Sequence, residues 1–134
     1  MARSGQAPRD VEPTGKEPPG VQIVRQAIAV STLAEMTQRM FGNLVKAVVD
    51  VDQGIMAIDG EMHADEEALL LGEGSRQNSL WGVNLHPGQF GTPDFIELDS
   101  VINIRPSQGN RTRSVHDPVA RARVTSIVNR LVAA

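Results

Sequence analysis

The stretch VKAVVDVDQGIMAIDG, residues 45–60, decides the fold. Val45, Ala47, Val49 and Val51 alternate with Lys46, Val48 and Asp50, the two-residue period of a half-buried strand. Asp52, Gln53 and Gly54 then read as a short hairpin loop in which the glycine supplies a positive φ. Ile55 to Ile58 returns as the partner strand, closed by Asp59 and Gly60. An antiparallel hairpin is therefore the unit on which the other apolar segments are expected to build.

Downstream, Glu61 to Glu67 leads into a short helix over residues 68–71 that Gly72 and Gly74 stop, with His63 or Asp65 near its start. Acidic residues in a first turn suit the helix dipole, which gives Asp65, Glu66 and Glu67 a structural explanation. Residues 80–85 form a further strand with Trp81, Val83 and Leu85 on one face, ended by His86, Pro87 and Gly88. Ile96, Leu98, Ser100, Ile102 and Ile104 share one face of an expected long strand, and this strand should pair antiparallel with residues 80–85. Asp117 and Pro118 then supply an N-cap and a first-turn proline. Val124, Ile127, Val128 and Leu131 follow at i, i+3, i+4 and i+7, so this last helix should lie on the sheet.

Upstream, residues 21–30 hold a short strand, and Thr32 with Glu35 reads as a capping box opening a helix. Its face of Leu33, Met36, Met40 and Phe41 is core, and Gly42 ends it. Residues 1–20 contain four Pro and three Gly, three basic and three acidic residues, and no apolar pattern. That segment is expected to be a disordered extension, leaving residues 21–134 as one domain. The fold class is α+β: a single small domain with a mostly antiparallel sheet of about four to five strands, two longer helices and one short helix packed on it.

With three Phe, one Trp and no Tyr in 134 residues, the core must be aliphatic. The same scarcity, with a net charge of -3, argues against broad nucleic-acid binding, which stacks bases on aromatic rings. The total conceals a polarity. Residues 46–104 carry two basic against eleven acidic residues, a net of -9, whereas residues 105–130 carry six Arg against Asp117, a net of +5. If these halves fold against each other, salt bridging is expected to cancel much of that charge. The absence of cysteine excludes disulfides and thiolate metal sites. No apolar run reaches membrane-spanning length and the first twenty residues lack a signal-peptide core, so no membrane association and a cytoplasmic location are expected.

The polar loop RPSQGNRTR, residues 105–113, is the candidate ligand site. Arg105, Arg111 and Arg113 can fork onto phosphate or carboxylate, Ser107, Gln108 and Asn110 add neutral donors, and Gly109 lets backbone approach closely. The competing explanation is that Arg105 and Arg111 pair with Glu97, Asp99, Asp50 or Asp65 and tie the loop down. Candidate catalytic groups are His63, Asp65, Glu66 and Asp99, facing the loop across a cleft. The His-Ala-Asp-Glu run superficially suggests a zinc deaminase, but that site needs cysteines this chain lacks. No phosphate loop, nucleophile elbow or dinucleotide fingerprint occurs, so no cofactor and no metal are expected. Three uses remain open: a module for a small anionic ligand, a small hydrolase-like enzyme using His63, Asp65 and Asp99 beside the loop, and an interaction subunit that meets a partner protein or a second copy.

The runs KAVVDVDQGIMAID (46–59), GEMHADEEALLLGEGS (60–75), LWGVNLHP (80–87), INIRPSQGNRTR (102–113) and DPVAR (117–121) together resemble a family of short bacterial proteins that is a domain of unknown function. The resemblance spans about Leu33 to Leu131 and leaves the first twenty residues outside. The chain departs from that family's pattern at His86, where tyrosine is usual, and at Ser114, where glycine is usual. The family implies a compact α+β domain and brings no activity.

Overall fold

A computed structural model describes residues 20–134, so the expected N-terminal extension lies outside the described residues apart from Gly20. The hairpin forms as β3 (Val45–Asp50) and β4 (Ile55–Ile58), with Asp50 opposite Ile55. The Asp50 carboxylate accepts the backbone N–H groups of Asp52 (2.8 Å) and Gln53 (3.0 Å), and Gly54 closes the turn at φ 71° with its N–H on Asp50 O. β1 (Gln22–Val24) pairs with β4, β5 (Leu80–Leu85) with β3, and β6 (Ile96–Glu97) with β5. The result is a five-stranded antiparallel sheet in the order β1-β4-β3-β5-β6. A second, parallel pair joins β2 (Ile28–Ala29) to β7 (Val132–Ala133).

The sheet is covered on both faces. Val45, Ala47, Val49, Met56, Ile58, Trp81, Val83 and Leu85 face α1 (Val30–Arg39) and α3 (Pro118–Leu131). Val48, Ile55, Ala57 and Leu80 face Leu70 of α2 (His63–Gly72). β3 is thus buried on both sides rather than half-buried, as the apolar Val48 among its polar positions permits. Asp117 caps α3 by accepting from Val119 N (3.1 Å), and Val124, Ile127, Val128 and Leu131 are the buried positions. Burying those four side chains contributes about 6–10 kcal/mol before entropy.

Three expectations need correction. α1 begins at Val30 with Ala29 at the N-cap and no side-chain cap, so Thr32 lies inside the helix. The reason is β2, which pairs with the far C-terminus and delivers the chain straight into the helix. α2 runs from His63, taking in the acidic lead-in whose charges favour its first turn. The long strand over residues 96–104 stops after Glu97. There Ser100 Oγ accepts from Ile102 N (3.2 Å) and starts a 3-10 turn at Val101–Asn103.

The vacated edge of β5 is completed by a side chain. Asn103 accepts from Gly82 N (2.8 Å) through Oδ1 and donates to Gly82 O (3.0 Å) through Nδ2, as a neighbouring strand would. Gly82 is required for this approach, since a Cβ there would lie 2.5 Å from Ser100 Cβ.

Candidate functional site

The loop of residues 105–113 folds on itself as a small hairpin. Arg105 and Asn110 exchange backbone hydrogen bonds (2.7 and 3.1 Å) around a 3-10 turn at Pro106–Gln108, and Gly109 takes the left-handed conformation. Asn110 is buried at its base. Its Nδ2 donates to Asn103 O (2.7 Å), Thr112 O (3.2 Å) and Ser114 O (2.6 Å), and its Oδ1 accepts from His116 N (2.9 Å). The Arg105 guanidinium lies over the Trp81 ring at 4.2 Å and donates to the Gln77 and Leu80 carbonyls. Burial lowers the pKa of Arg105, whose Nε has no partner. Arg113 forks onto Asp99, Nε to Oδ1 at 2.7 Å and Nη2 to Oδ2 at 3.2 Å, which lowers the Asp99 pKa and raises that of Arg113. Gln108 reaches Asn78 O at 3.3 Å, while Ser107 and Arg111 are exposed and touch no polar partner among the described residues.

The expected cancellation by salt bridging does not occur across the basic segment. Among the described residues, Arg113 is the one arginine between 105 and 130 that meets a carboxylate. Arg121, Arg123 and Arg130 donate to the carbonyls of Val115, Val51 and Gly54 at 2.7–2.9 Å. Their guanidinium groups are held in place by backbone carbonyls rather than by carboxylates. The alternative in which Arg105 and Arg111 pair with Glu97, Asp99, Asp50 or Asp65 is likewise not what the contacts show, because Arg105 is spent on backbone carbonyls and Asp99 is taken by Arg113.

Beside the loop's base, the α2 side of the sheet changes from apolar to polar. His63, the first residue of α2, is 8% exposed, and its Nε2 lies 2.8 Å from Val83 O. A carbonyl only accepts, so Nε2 carries the hydrogen and Nδ1 keeps a lone pair, for which the described residues provide no partner. Burial is the main force lowering the His63 pKa. The charges of Lys46 and Arg113 add to it, against the Val83 bond and the Asp99 charge. Gly82 again makes room, since a Cβ there would lie 3.2 Å from His63 Cδ2.

Asn84, also 8% exposed, stands opposite Lys46 across the β3 and β5 pair. Its Nδ2 donates to Glu97 Oε1 (3.2 Å) and to Asp99 O (3.4 Å), while Oδ1 is buried without a partner. Glu97 Oε1 also meets His86 Nε2 at 3.0 Å, and Lys46 Nζ sits 5.0 Å above the Phe41 ring. Deeper in, Glu66 is 0% exposed. One of its oxygens accepts from Gly60 N (2.8 Å) and the other has no partner, and burial pushes its pKa well above the ordinary carboxylate value. Burial thus favours the protonated form of this carboxyl.

His63, Asp99 and Arg113 therefore share one neighbourhood, whereas Asp65 makes no side-chain contact with them and Glu66 is sealed beneath. Among the described residues no three His, Asp or Glu side chains are placed to share a metal ion. Lys46 and Asn84 were not singled out from the sequence. The signal for them was a polar residue in strand positions whose neighbours two along, Val48 and Leu80 (beyond Gly82), are buried apolar. Chemically the floor offers lone pairs at His63 Nδ1 and Asn84 Oδ1, under a rim of two cations, Lys46 and Arg113, and two carboxylates, Glu97 and Asp99.

No helix among the described residues is long and apolar enough to cross a membrane. No curated protein and no solved structure matches the chain. A family model does, over residues 22–131, and the chain belongs to that family, DUF5674, proteins of unknown function.

Proposed function

We propose that the chain binds a small polar ligand on the floor formed by His63 and Asn84 at the base of the arginine loop. The ligand carries an anionic group, phosphate or carboxylate, for Arg113 and Lys46, and a hydroxyl or amine hydrogen for His63 Nδ1 and Asn84 Oδ1. One observation carries this: Asn84, more than nine-tenths buried, keeps its Oδ1 sealed without a partner, an arrangement whose desolvation cost calls for a donor, and His63 of the same floor offers a second unpartnered acceptor at Nδ1. Within the loop, Arg113 takes the ligand-facing role. Arg105 and Asn110 hold the hairpin in place, Ser107 and Gln108 stand at its tip, and Arg111 follows its closing pair.

The test is calorimetry of the full chain against inorganic phosphate, a sugar phosphate, a nucleoside monophosphate and a hydroxy acid. At least one is expected to bind, and His63→Gln and Asn84→Ser are each expected to lower its affinity at least about tenfold, the weight of one hydrogen bond to a buried group. Because His63 must be neutral to accept, affinity should hold above the ordinary imidazole value of 6.5 and fall in acid as the depressed pKa is passed. Silence across all four probes, or full affinity in both variants, sinks the proposal.

The fixed tautomer favours a second reading, in which His63 Nδ1 accepts a proton from a ligand hydroxyl or a water as general base. An activity with a single acid limb in its pH profile, abolished by His63→Gln with ligand affinity retained, separates catalysis from binding.

A further inference from the structure

α3 lies on the face of the sheet opposite α2, and there it meets the turn between β3 and β4. Two of its arginines fasten that turn. Arg123 Nη2 donates to Val51 O and Arg130 Nη2 to Gly54 O, both at 2.7 Å. Positions 123, 126, 127 and 130 fall on one side of a helix, so Ser126 and Ile127 lie between the two clamps. The space left between helix and turn is a groove of about 390 Å³ whose lining includes Val51, Asp52, Ala122, Arg123 and Ile127. Small-molecule sites commonly have volumes of roughly 300–1,000 Å³.

The groove carries two charges of opposite sign that do not pair with each other. Asp52 Oδ2 accepts from Ser79 Oγ (2.5 Å) and Arg76 Nη2 (2.8 Å), while Oδ1 has no partner among the described residues. Arg123 meets Val51 O through Nη2, and its Nε and Nη1 hydrogens have no partner among the described residues. The two side chains stand more than 4.0 Å apart. The Arg123 charge still acts on the Asp52 carboxyl, adding to a lowered pKa caused chiefly by the Ser79 and Arg76 hydrogen bonds.

We infer that this groove binds an α-amino acid with an apolar side chain, its ammonium on Asp52, its carboxylate on Arg123 and its side chain on Val51, Ala122 and Ile127. A zwitterion bridges a gap too wide for a direct ion pair. A bare carboxylate drawn to Arg123 would meet the charge of Asp52, and a bare amine drawn to Asp52 would meet that of Arg123, so each single-charge ligand suffers a like-charge contact. Arginine suits a carboxylate because its fork matches the two oxygens. The clamps of Arg123 and Arg130 hold the turn on the helix before any ligand arrives, which lowers the ordering cost of binding.

The experiment is calorimetry of the full chain with L-leucine, L-valine and L-methionine up to about 10 mM, where even a millimolar site fills. At least one is expected to bind. Isocaproate and isoamylamine, which keep one charge of leucine each, should bind at least about tenfold more weakly than leucine. Arg123→Gln and Asp52→Asn should each lower affinity at least about tenfold. If Asp52→Asn fails to fold for want of its Ser79 and Arg76 contacts, Ala122→Leu decides: it places bulk in the groove from an exposed helix position and should abolish binding in a chain whose circular dichroism is native. His63→Gln, on the opposite face of the sheet, should bind the amino acid as the wild type does. Silence of all three amino acids, a single-charge analogue that binds as tightly as leucine, or full affinity in Arg123→Gln and Ala122→Leu overturns the inference. So does a loss confined to His63→Gln, which would place the amino acid on the floor.

Discussion

The arginine loop and the polar floor beneath it contain similar residue types, yet their hydrogen bonds are distributed very differently. In the loop, Asn110 fills both ends of its amide with four backbone partners, Arg105 is clamped on two carbonyls over Trp81, and Arg113 is forked onto Asp99. On the floor, Asn84 and Glu66 each bury an oxygen without a partner, and His63 Nδ1 takes no hydrogen bond from the described residues. A polar run that catches the eye in a sequence can thus be largely satisfied scaffold, with Arg105 Nε as the loop's one buried atom left unpaired among the described residues. Isolated polar residues in a buried register store unpaired bonding capacity, and a ligand can use it.

The largest effect expected from this contrast falls on the scaffold side. Asn110→Ala removes four hydrogen bonds at a buried position and strands the Asn103 carbonyl and the His116 amide. It should cost about 3 kcal/mol in urea denaturation, well above the usual surface substitution. A loss under about 0.5 kcal/mol, the scale of a surface change, would show that the loop is not braced as described.

On the floor side the next effect is one of pH. The Glu66 pKa is raised, so its neutral form is the one that folding favours, and its contribution is fully present below the ordinary value of 4.5. As pH rises past that value the unfolded chain ionises first, and stability should decline at a slope approaching about 1.4 kcal/mol per pH unit until the folded pKa is passed. Glu66→Gln keeps an oxygen for Gly60 N and cannot ionise, so its melting temperature should match the wild type in acid and exceed it at pH 8. Parallel curves for the two proteins would mean that Glu66 is ionised in the native state.

Arg113 joins the two regions, so its substitution separates stability from binding. The Arg113 and Asp99 pair is half exposed, at 52% and 36% for the side chains, and such pairs contribute at most about 1 kcal/mol. Arg113→Ala should therefore melt within a few degrees of wild type while weakening ligand binding at least about tenfold. A variant that binds normally places the anion elsewhere.

How much of this was legible follows from range. The β3 and β4 hairpin, β5, the Asp117 cap and the buried stripe of α3 depend on neighbours in sequence, and all were readable. Thr32 misled because the start of α1 is set by Ala29 pairing with Ala133, which no local pattern shows. The alternation over residues 96–104 misled because Ser100 and Asn103 use side chains to make bonds a strand would make with backbone. His63, Asp99 and Arg113 were legible as chemistry. Their union with Lys46 and Asn84 required strand register and the docking of α2, both long-range facts.

The smallest stability effect is expected at Arg111, and it is the most discriminating. Arg111 is the exposed cation that directly follows the hairpin's closing pair, without a polar partner among the described residues. Arg111→Ala should change stability by less than about 0.5 kcal/mol, because nothing in the fold depends on it. If ligands are held on the floor through Arg113, affinity should also be unchanged, in contrast to Arg113→Ala two residues away. Loss of affinity in Arg111→Ala alone would move the site from the floor to the exposed side of the loop and make the floor a structural feature.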